Sequence, residues 1–227
     1  IDVKYHDRTL QPELSYLQER TGMREAPAAP ALPASIMVSV VLATHDRPGQ
    51  LRECLQALTQ QHTPRQVELI VVDNNPASGL TAPVVNEFPA VTLLAESRKG
   101  SSYARNAGIV HASGDIIAIT DDDVVVPATW VEKLIRPFER TDIGAVTGNV
   151  LPRELDTEAQ YLFEIYGGLG RGFKKLEYGP SWFRARKRRA VPTWNLGATA
   201  NAAFRSDVFR DPRISAAIVS ASRGSSQ

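Results

Sequence analysis

Apolar positions along the 227-residue chain fall into two patterns, and the way they alternate sets the expected architecture. Ile36 to Ala43 is a nearly unbroken apolar run, as a strand covered on both faces requires. Thr44-His45-Asp46-Arg47-Pro48 then offers a cap and a proline for a first helical turn, and Leu51, Leu55 and Leu58 recur at helical spacing. Val67 to Val72 is a second apolar run, closed by Asp73-Asn74-Asn75-Pro76, residues suited to a turn. Val91 to Ala95 reads as a third strand and Ser102 to Ala112 as a helix ending at Ser113-Gly114. Ile116 to Thr120 is the next strand, and Pro127 to Glu139 a helix with Trp130, Leu134 and Phe138 on one face. A strand over Ile143 to Val150 and a helix over Glu158 to Tyr166 complete the series. Strands alternating with helices predict an α/β domain, a Rossmann-like, mostly parallel sheet flanked by helices.

The pattern weakens at both ends. Residues 1–34 read as an extension, with Leu10, Leu14 and Leu17 on a short amphipathic helix and a Pro/Ala linker from Ala26 to Ala34. The folded domain is expected over 35–210, and 211–227 as a disordered or aberrant Ser-rich tail. A start at Ile1 together with that tail reads as a fragment or truncated product, incomplete at the C-terminus.

Charge narrows the partners. Lys and Arg number 26 against 25 Asp and Glu, so no global field argues for nucleic acid. A single cysteine, Cys54, excludes an internal disulfide framework and fits a reducing compartment, with a buried structural thiol as its reading. The apolar run from Ile36 is far shorter than the roughly 20 residues a membrane span takes. A cytoplasmic protein is expected, or one held at the cytoplasmic face of a membrane through residues 171–189. There eight bases, Lys174 and Lys175 among them, oppose one acid, Glu177, amid Phe173, Tyr178, Trp182 and Phe183.

Candidate chemistry begins at Asp121-Asp122-Asp123, where the fourth apolar run reaches its carboxyl end. Adjacent carboxylates raise one another's pKa, so such a cluster either faces water or holds a cation; oxygen-only ligands favour Mg²⁺ or Mn²⁺ completed by waters and a phosphate. Two more polar clusters, Thr44 to Arg47 and Asp73 to Asn75, fall at carboxyl ends of predicted strands, where open α/β sheets bind ligands. The loop Arg98-Lys99-Gly100-Ser101-Ser102, with Arg105 in the helix behind it, supplies cations and amides suited to phosphate oxygens. Together these define a nucleotide diphosphate site.

At these residues the chain resembles the family 2 glycosyltransferases, inverting enzymes of the GT-A fold. The resemblance runs from about Val38 to Phe209 through ordered motifs: 38–48, 68–75, 99–108, 114–123 and 195–205. It implies that Thr44, Asp46, Arg47, Asp73, Lys99, Arg105, Asp121 and Asp122 line the nucleotide-sugar pocket. It further implies that Asp121 and Asp123 are the outer members of an Asp-x-Asp metal motif for Mn²⁺ or Mg²⁺, with Asp122 the member that best tolerates Asn. Asn195, Gly197 and Asn201 become acceptor-side candidates. The implied donor is a UDP- or GDP-linked sugar, and the implied acceptor a glycan, a lipid-linked molecule or a small molecule, in polysaccharide or glycoconjugate biosynthesis.

The chain departs from the family pattern after Arg205. The family's general base, needed to deprotonate the acceptor hydroxyl, lies in a Glu-Asp pair beyond this point; here Asp211-Pro212-Arg213 and the Ser-rich tail follow instead, and no residue inherits the role. A catalytically incomplete nucleotide-sugar binder is therefore an alternative. A remoter one is a haloacid dehalogenase-like phosphatase, because Asp121-Asp122-Asp123-Val124-Val125 also fits Asp-x-Asp-x-Val, with Asp121 as nucleophile.

Overall fold

The computed structural model describes residues 31–170, 174–184 and 193–211. The expected N-terminal helix, most of the linker and all but the first residue of the expected tail lie outside them. The predicted order opens with β1 (Val38–Thr44), α1 (Pro48–Thr59) and β2 (Val67–Asp73), then a helix not foreseen, α2 (Thr81–Val85), precedes the predicted β3 (Val91–Ala95). After these come α3 (Ser101–His111), β4 (Ile116–Asp121), α4 (Trp130–Ile135), β5 (Ala145–Thr147), α5 (Glu158–Tyr166), α6 (Pro180–Arg184), β6 (Asn201–Arg205) and α7 (Ser206–Arg210).

The strands form one sheet in the order β3-β2-β1-β4-β6-β5. β3, β2, β1 and β4 are parallel; β6 runs antiparallel to β4, and β5 antiparallel to β6. β1 is central, which is why it carries an apolar run rather than an alternating one: Val38, Val40, Val41 and Leu42 are all fully buried. The pleat sends Val38, Val40 and Leu42 to one face against Leu51, Leu55 and Leu58 of α1 and Trp130, Leu134 and Phe138. Val41, with Ile70, Val72, Ile117 and Ile119, goes to the other face against Ala104 and Ile109 of α3. There Gly108 lets α3 approach the sheet: a Cβ on it would lie 2.3 Å from Val41 Cγ1, far inside contact distance.

Two expectations about elements are corrected and one strand is added. The strand expected over Ile143–Val150 pairs only at Ala145–Thr147, because it is an edge strand bracketed by Gly144 and Gly148. The helix expected from Pro127 starts at Trp130 and ends as a 3₁₀ turn over Arg136–Glu139, where Pro137 has no amide to continue the ladder. β6 went unassigned in the sequence because Ala202 and Ala203 carry little strand preference; the sheet holds it through pairing with β4.

Candidate functional site at the carboxyl edge of the sheet

Register brings the polar clusters together. Thr44 pairs with Asp73 across β1 and β2, and Ala43 with Asp121 across β1 and β4, so all three clusters stand at one edge. Thr44 was a possible helix cap in sequence, but the N-cap of α1 is Arg47, without a side-chain bond. Thr44 instead turns inward, buried, and its hydroxyl donates to Asp122 Oδ2 at 2.7 Å.

The three aspartates part ways. Asp122 is buried, and burial pushes its carboxyl above the ordinary range against the opposing pull of Thr44 and Arg47. Asp121 and Asp123 remain partly open, with side chains 32% and 53% exposed. Each meets an arginine: Arg105 Nη2 lies 2.5 Å from Asp121 Oδ1, and Arg47 Nη1 donates to Asp123 Oδ2 at 2.9 Å and to Asp122 Oδ1 at 3.3 Å. The sequence reading allowed this cluster water or a metal; the structure supplies guanidinium counter-ions.

Asp46 adopts a left-handed backbone, φ 56°, a conformation that Asp tolerates better than most residues. Its carboxylate accepts from Asn75 Nδ2 at 2.7 Å, and hydrogen bonds from Ser78 and Asn75 hold it below the usual carboxylate range. Asp73 is buried, and its Oδ1 accepts from the Asn75 amide at 2.9 Å, closing the turn. Lys99 is exposed in the loop before α3. Arg98 is not a loose cation: it forms a double hydrogen bond with the buried Glu96, whose carboxyl that bond holds low against burial, and it stacks 4.8 Å from the Tyr103 ring centre.

Asn74, expected only as a turn residue, does more. It is buried, donates to the carbonyls of Glu96 at 2.9 Å and Arg98 at 2.7 Å, and accepts from the Gly100 amide at 2.8 Å. It thus shapes the loop from which Lys99 and α3 emerge. The only local signal was an amide side chain just beyond a strand.

The acceptor-side candidates lie on the far half of the sheet. Asn195 is exposed in a 3₁₀ turn. Gly197 has φ 105°, with Thr147 packed where a Cβ would go. Asn201 is engaged in packing: its Oδ1 accepts from Trp130 Nε1 at 2.9 Å and its Nδ2 donates to Asn149 O at 2.8 Å. A cavity of about 410 Å³ meets the acidic cluster through Asp123 and is lined also by Arg153, Glu154, Gln160, Phe163 and Glu164; none of the three acceptor-side candidates lines it. In residues 171–189, the described portion joins Glu177 to Lys175 at 3.0 Å and Arg140 at 2.9 Å, and sets the Tyr178 and Trp182 rings 4.6 Å apart.

The acidic pair fits a hard divalent cation. Asp121 and Asp123 offer two accessible carboxylates, and among the described residues no group of three His, Cys, Asp or Glu side chains is arranged to hold a metal alone. A cation here needs ligand oxygens to complete its shell, which is the usual state of Mg²⁺ at a diphosphate. Arg105 Nε, buried without a hydrogen-bond partner, is a polar atom suited to a bound acceptor oxygen.

The mostly parallel sheet, with an acidic cluster and arginines at its carboxyl edge, defines an α/β domain of the GT-A class. The family model described as glycosyl transferase family 2 matches residues 39–211, and the chain belongs to that family. Glycosyltransferase AglE of Haloferax volcanii is 28% identical over 180 residues, covering 77% of this chain and 54% of AglE. Succinoglycan biosynthesis protein ExoM of Rhizobium meliloti is 26% identical over 188 residues, covering 76% of this chain and 53% of ExoM. The chain spans about half the length of these curated relatives. Among solved structures, the fold is similar to that of mannosyltransferase PcManGT from Pyrobaculum calidifontis in complex with GDP-Man and Mn²⁺, with TM-score 0.56 and 22% identity over 88% of this chain and 53% of that one. It is also similar to S. aureus TarS 1-349 in complex with UDP, with TM-score 0.52 and 14% identity over 79% and 49%. Family membership displaces the phosphatase reading of Asp121.

Proposed function

We propose that the chain binds a nucleoside-diphosphate sugar across the carboxyl ends of β1, β2 and β4, and serves transfer of that sugar to an acceptor hydroxyl with inversion. The observation that carries the reading is the register, which sets Thr44, Asp73 and Asp121–Asp123 along one edge with Arg47 and Arg105 on the carboxylates. In this reading Asp73 and Asp46 border the base and ribose. Asp121 and Asp123 hold Mn²⁺ or Mg²⁺, which when bound neutralises charge on the departing diphosphate. Arg47 and Arg105, already beside those carboxylates, exchange part of their pairing for phosphate oxygens. Thr44 and Asp122 keep the edge in shape. The cavity beside Asp123 receives the acceptor, a glycan, lipid-linked molecule or small molecule, and no residue is assigned as general base. GDP-Man and UDP in the neighbours' structures, and the biosynthetic name of ExoM, support a donor and a glycoconjugate pathway of this kind.

Calorimetric titration with UDP and GDP, with and without Mn²⁺, tests the reading; micromolar affinity that depends on Mn²⁺ is expected, and a folded sample with no affinity for either nucleotide refutes it. Release of UDP or GDP from the sugar nucleotides in the presence of acceptor then separates a working enzyme from a binder without turnover.

A further inference from the structure

Glu96 is a buried carboxylate to which the nucleotide reading gives no part. It stands just beyond β3 at the carboxyl edge, where its amide donates to the Asp73 carbonyl at 2.9 Å. A buried charge is costly unless it is paired and hydrogen-bonded, and among the described residues the partners of this one all come from Arg98. The Arg98 guanidinium donates to both carboxylate oxygens, Nε to Oε1 at 2.8 Å and Nη2 to Oε2, and the Arg98 main-chain amide donates to Oε1 at 2.9 Å. A carboxylate and a guanidinium two residues apart thus close the chain on itself, and the fork geometry fixes the angle at which it closes.

Asn74 pins the same loop from the other side, holding the Glu96 and Arg98 carbonyls and the Gly100 amide. Gly100 then turns with φ 136°, a conformation that side chains rarely adopt, and the Arg98 guanidinium lies over the Tyr103 ring in the first turn of α3. Lys99 is the residue between these anchors. The carbonyl before it and the amide after it are both held, while its side chain is exposed. The three bases of this stretch therefore differ: Arg98 is committed to Glu96 and Arg105 to Asp121, whereas Lys99 has no ion pair among the described residues.

We propose that Glu96 and Arg98 are positioning residues for Lys99: their pair sets the backbone from which Lys99 reaches the diphosphate of the donor. The inference rests on the nucleotide-sugar reading and adds to it a division of roles, in which the buried pair touches no ligand and acts only through the exposed lysine. A lysine on a loose loop loses backbone and side-chain freedom together when it meets a phosphate oxygen. On a loop already fixed it loses side-chain freedom alone, and the difference is gained as affinity.

The test is a double-variant cycle on the full chain, read by calorimetric titration with UDP and GDP in the presence of Mn²⁺ and by amide hydrogen exchange without nucleotide. Lys99→Ala should weaken nucleotide binding about tenfold. Glu96→Gln, which keeps the shape of the side chain and removes its charge, should weaken it about fivefold. The Glu96→Gln/Arg98→Met variant leaves neither an unpaired buried charge nor a freed guanidinium; it carries the same expectation and replaces the single variant where that one does not fold. In the Lys99→Ala background the loss from Glu96→Gln should vanish, a result that general loosening of the fold would not give. Exchange at the Gly100 amide should quicken at least about tenfold in Glu96→Gln, while the amides of β1 and β4 stay as protected as in the wild type. Nucleotide binding that Lys99→Ala or Glu96→Gln leaves intact, an equal loss from Glu96→Gln in both backgrounds, or unchanged exchange at Gly100 overturns the proposal and leaves the nucleotide reading standing. A folded wild type that binds neither nucleotide overturns that reading and this proposal with it.

Discussion

Asp122 and Asp123 are adjacent in sequence, and the structure separates what their loss should do. In Asp122→Ala the Thr44 hydroxyl, itself buried, loses the acceptor it holds at 2.7 Å. An orphaned buried hydroxyl costs about 1–3 kcal/mol. Arg47 loses its 3.3 Å partner, but its side chain is 51% exposed and keeps Asp123, so that loss adds less than about 1 kcal/mol. Relief from holding a carboxylate in a buried site offsets part of this. The net expectation is a loss of about 2 kcal/mol, or roughly 4–8 °C in melting temperature for a domain of this size. Asp122→Asn keeps an oxygen for Thr44 and should cost about 1 kcal/mol or less. Asp123→Ala, at a half-exposed site, should change stability by less than about 0.5 kcal/mol while lowering Mn²⁺-dependent nucleotide affinity at least about tenfold. Urea unfolding with unchanged m-values measures the first effect and calorimetric titration the second. The Thr44→Ala/Asp122→Ala double variant should be less destabilised than the sum of its singles by about 1 kcal/mol. Equal stability losses for Asp122→Ala and Asp123→Ala, or additive behaviour of the Thr44/Asp122 pair, would refute the inward placement of Asp122.

Asn74→Ala leaves the carbonyls of Glu96 and Arg98 and the Gly100 amide without its side chain, so it should cost about 2–3 kcal/mol in urea unfolding and weaken nucleotide binding through the loop before α3. Cys54 is buried, and burial, followed by the negative charges of Asp122, Asp123 and Asp121, pushes its thiol to about 12. It should therefore resist a thiol reagent at pH 8 in the folded protein and react promptly in urea. Glu68 is desolvated, but hydrogen bonds from Ser39 and Ser113 outweigh that cost and hold its carboxyl below its ordinary 4.5. A folded pKa below the unfolded one means that the charged form stabilises the fold. The contribution is present above 4.5 and lost as pH falls through the lower folded value, so Glu68→Gln should flatten the acid limb of stability against pH in that window.

What could be read along the chain was what local physics determines. β1, β2 and β4 announced themselves because a strand covered on both faces must be apolar nearly throughout, and each stops at a polar residue, Thr44, Asp73 or Asp121, where it leaves the sheet. The different fates of Asp121, Asp122 and Asp123 were legible only through the resemblance, which sets the outer pair apart; β4 ends at Asp121, so no strand period orders the two residues after it. Their counter-ions were not. Arg105 reaches Asp121 from 16 residues away and Arg47 reaches Asp123 from 76, through a register that no local pattern carries. Asn201 likewise looked available in its motif, yet the antiparallel return of β6 spends its amide on Trp130 and Asn149.

Helix α5 is the instructive case because the expected helix forms and yet buries none of its residues. The spacing of Leu162, Ile165 and Tyr166 predicts a helix, and Glu158–Tyr166 forms one with its capping box intact. The usual corollary, that the apolar side turns to the core, holds for α1 and for Trp130, Leu134 and Phe138, and fails here. Propensity and capping determine whether a helix forms; the free energy of burial determines where its apolar side goes. With Gln160, Phe163 and Glu164 lining the cavity and Tyr161, Leu162, Ile165 and Tyr166 exposed, that second term is unmet within the described domain.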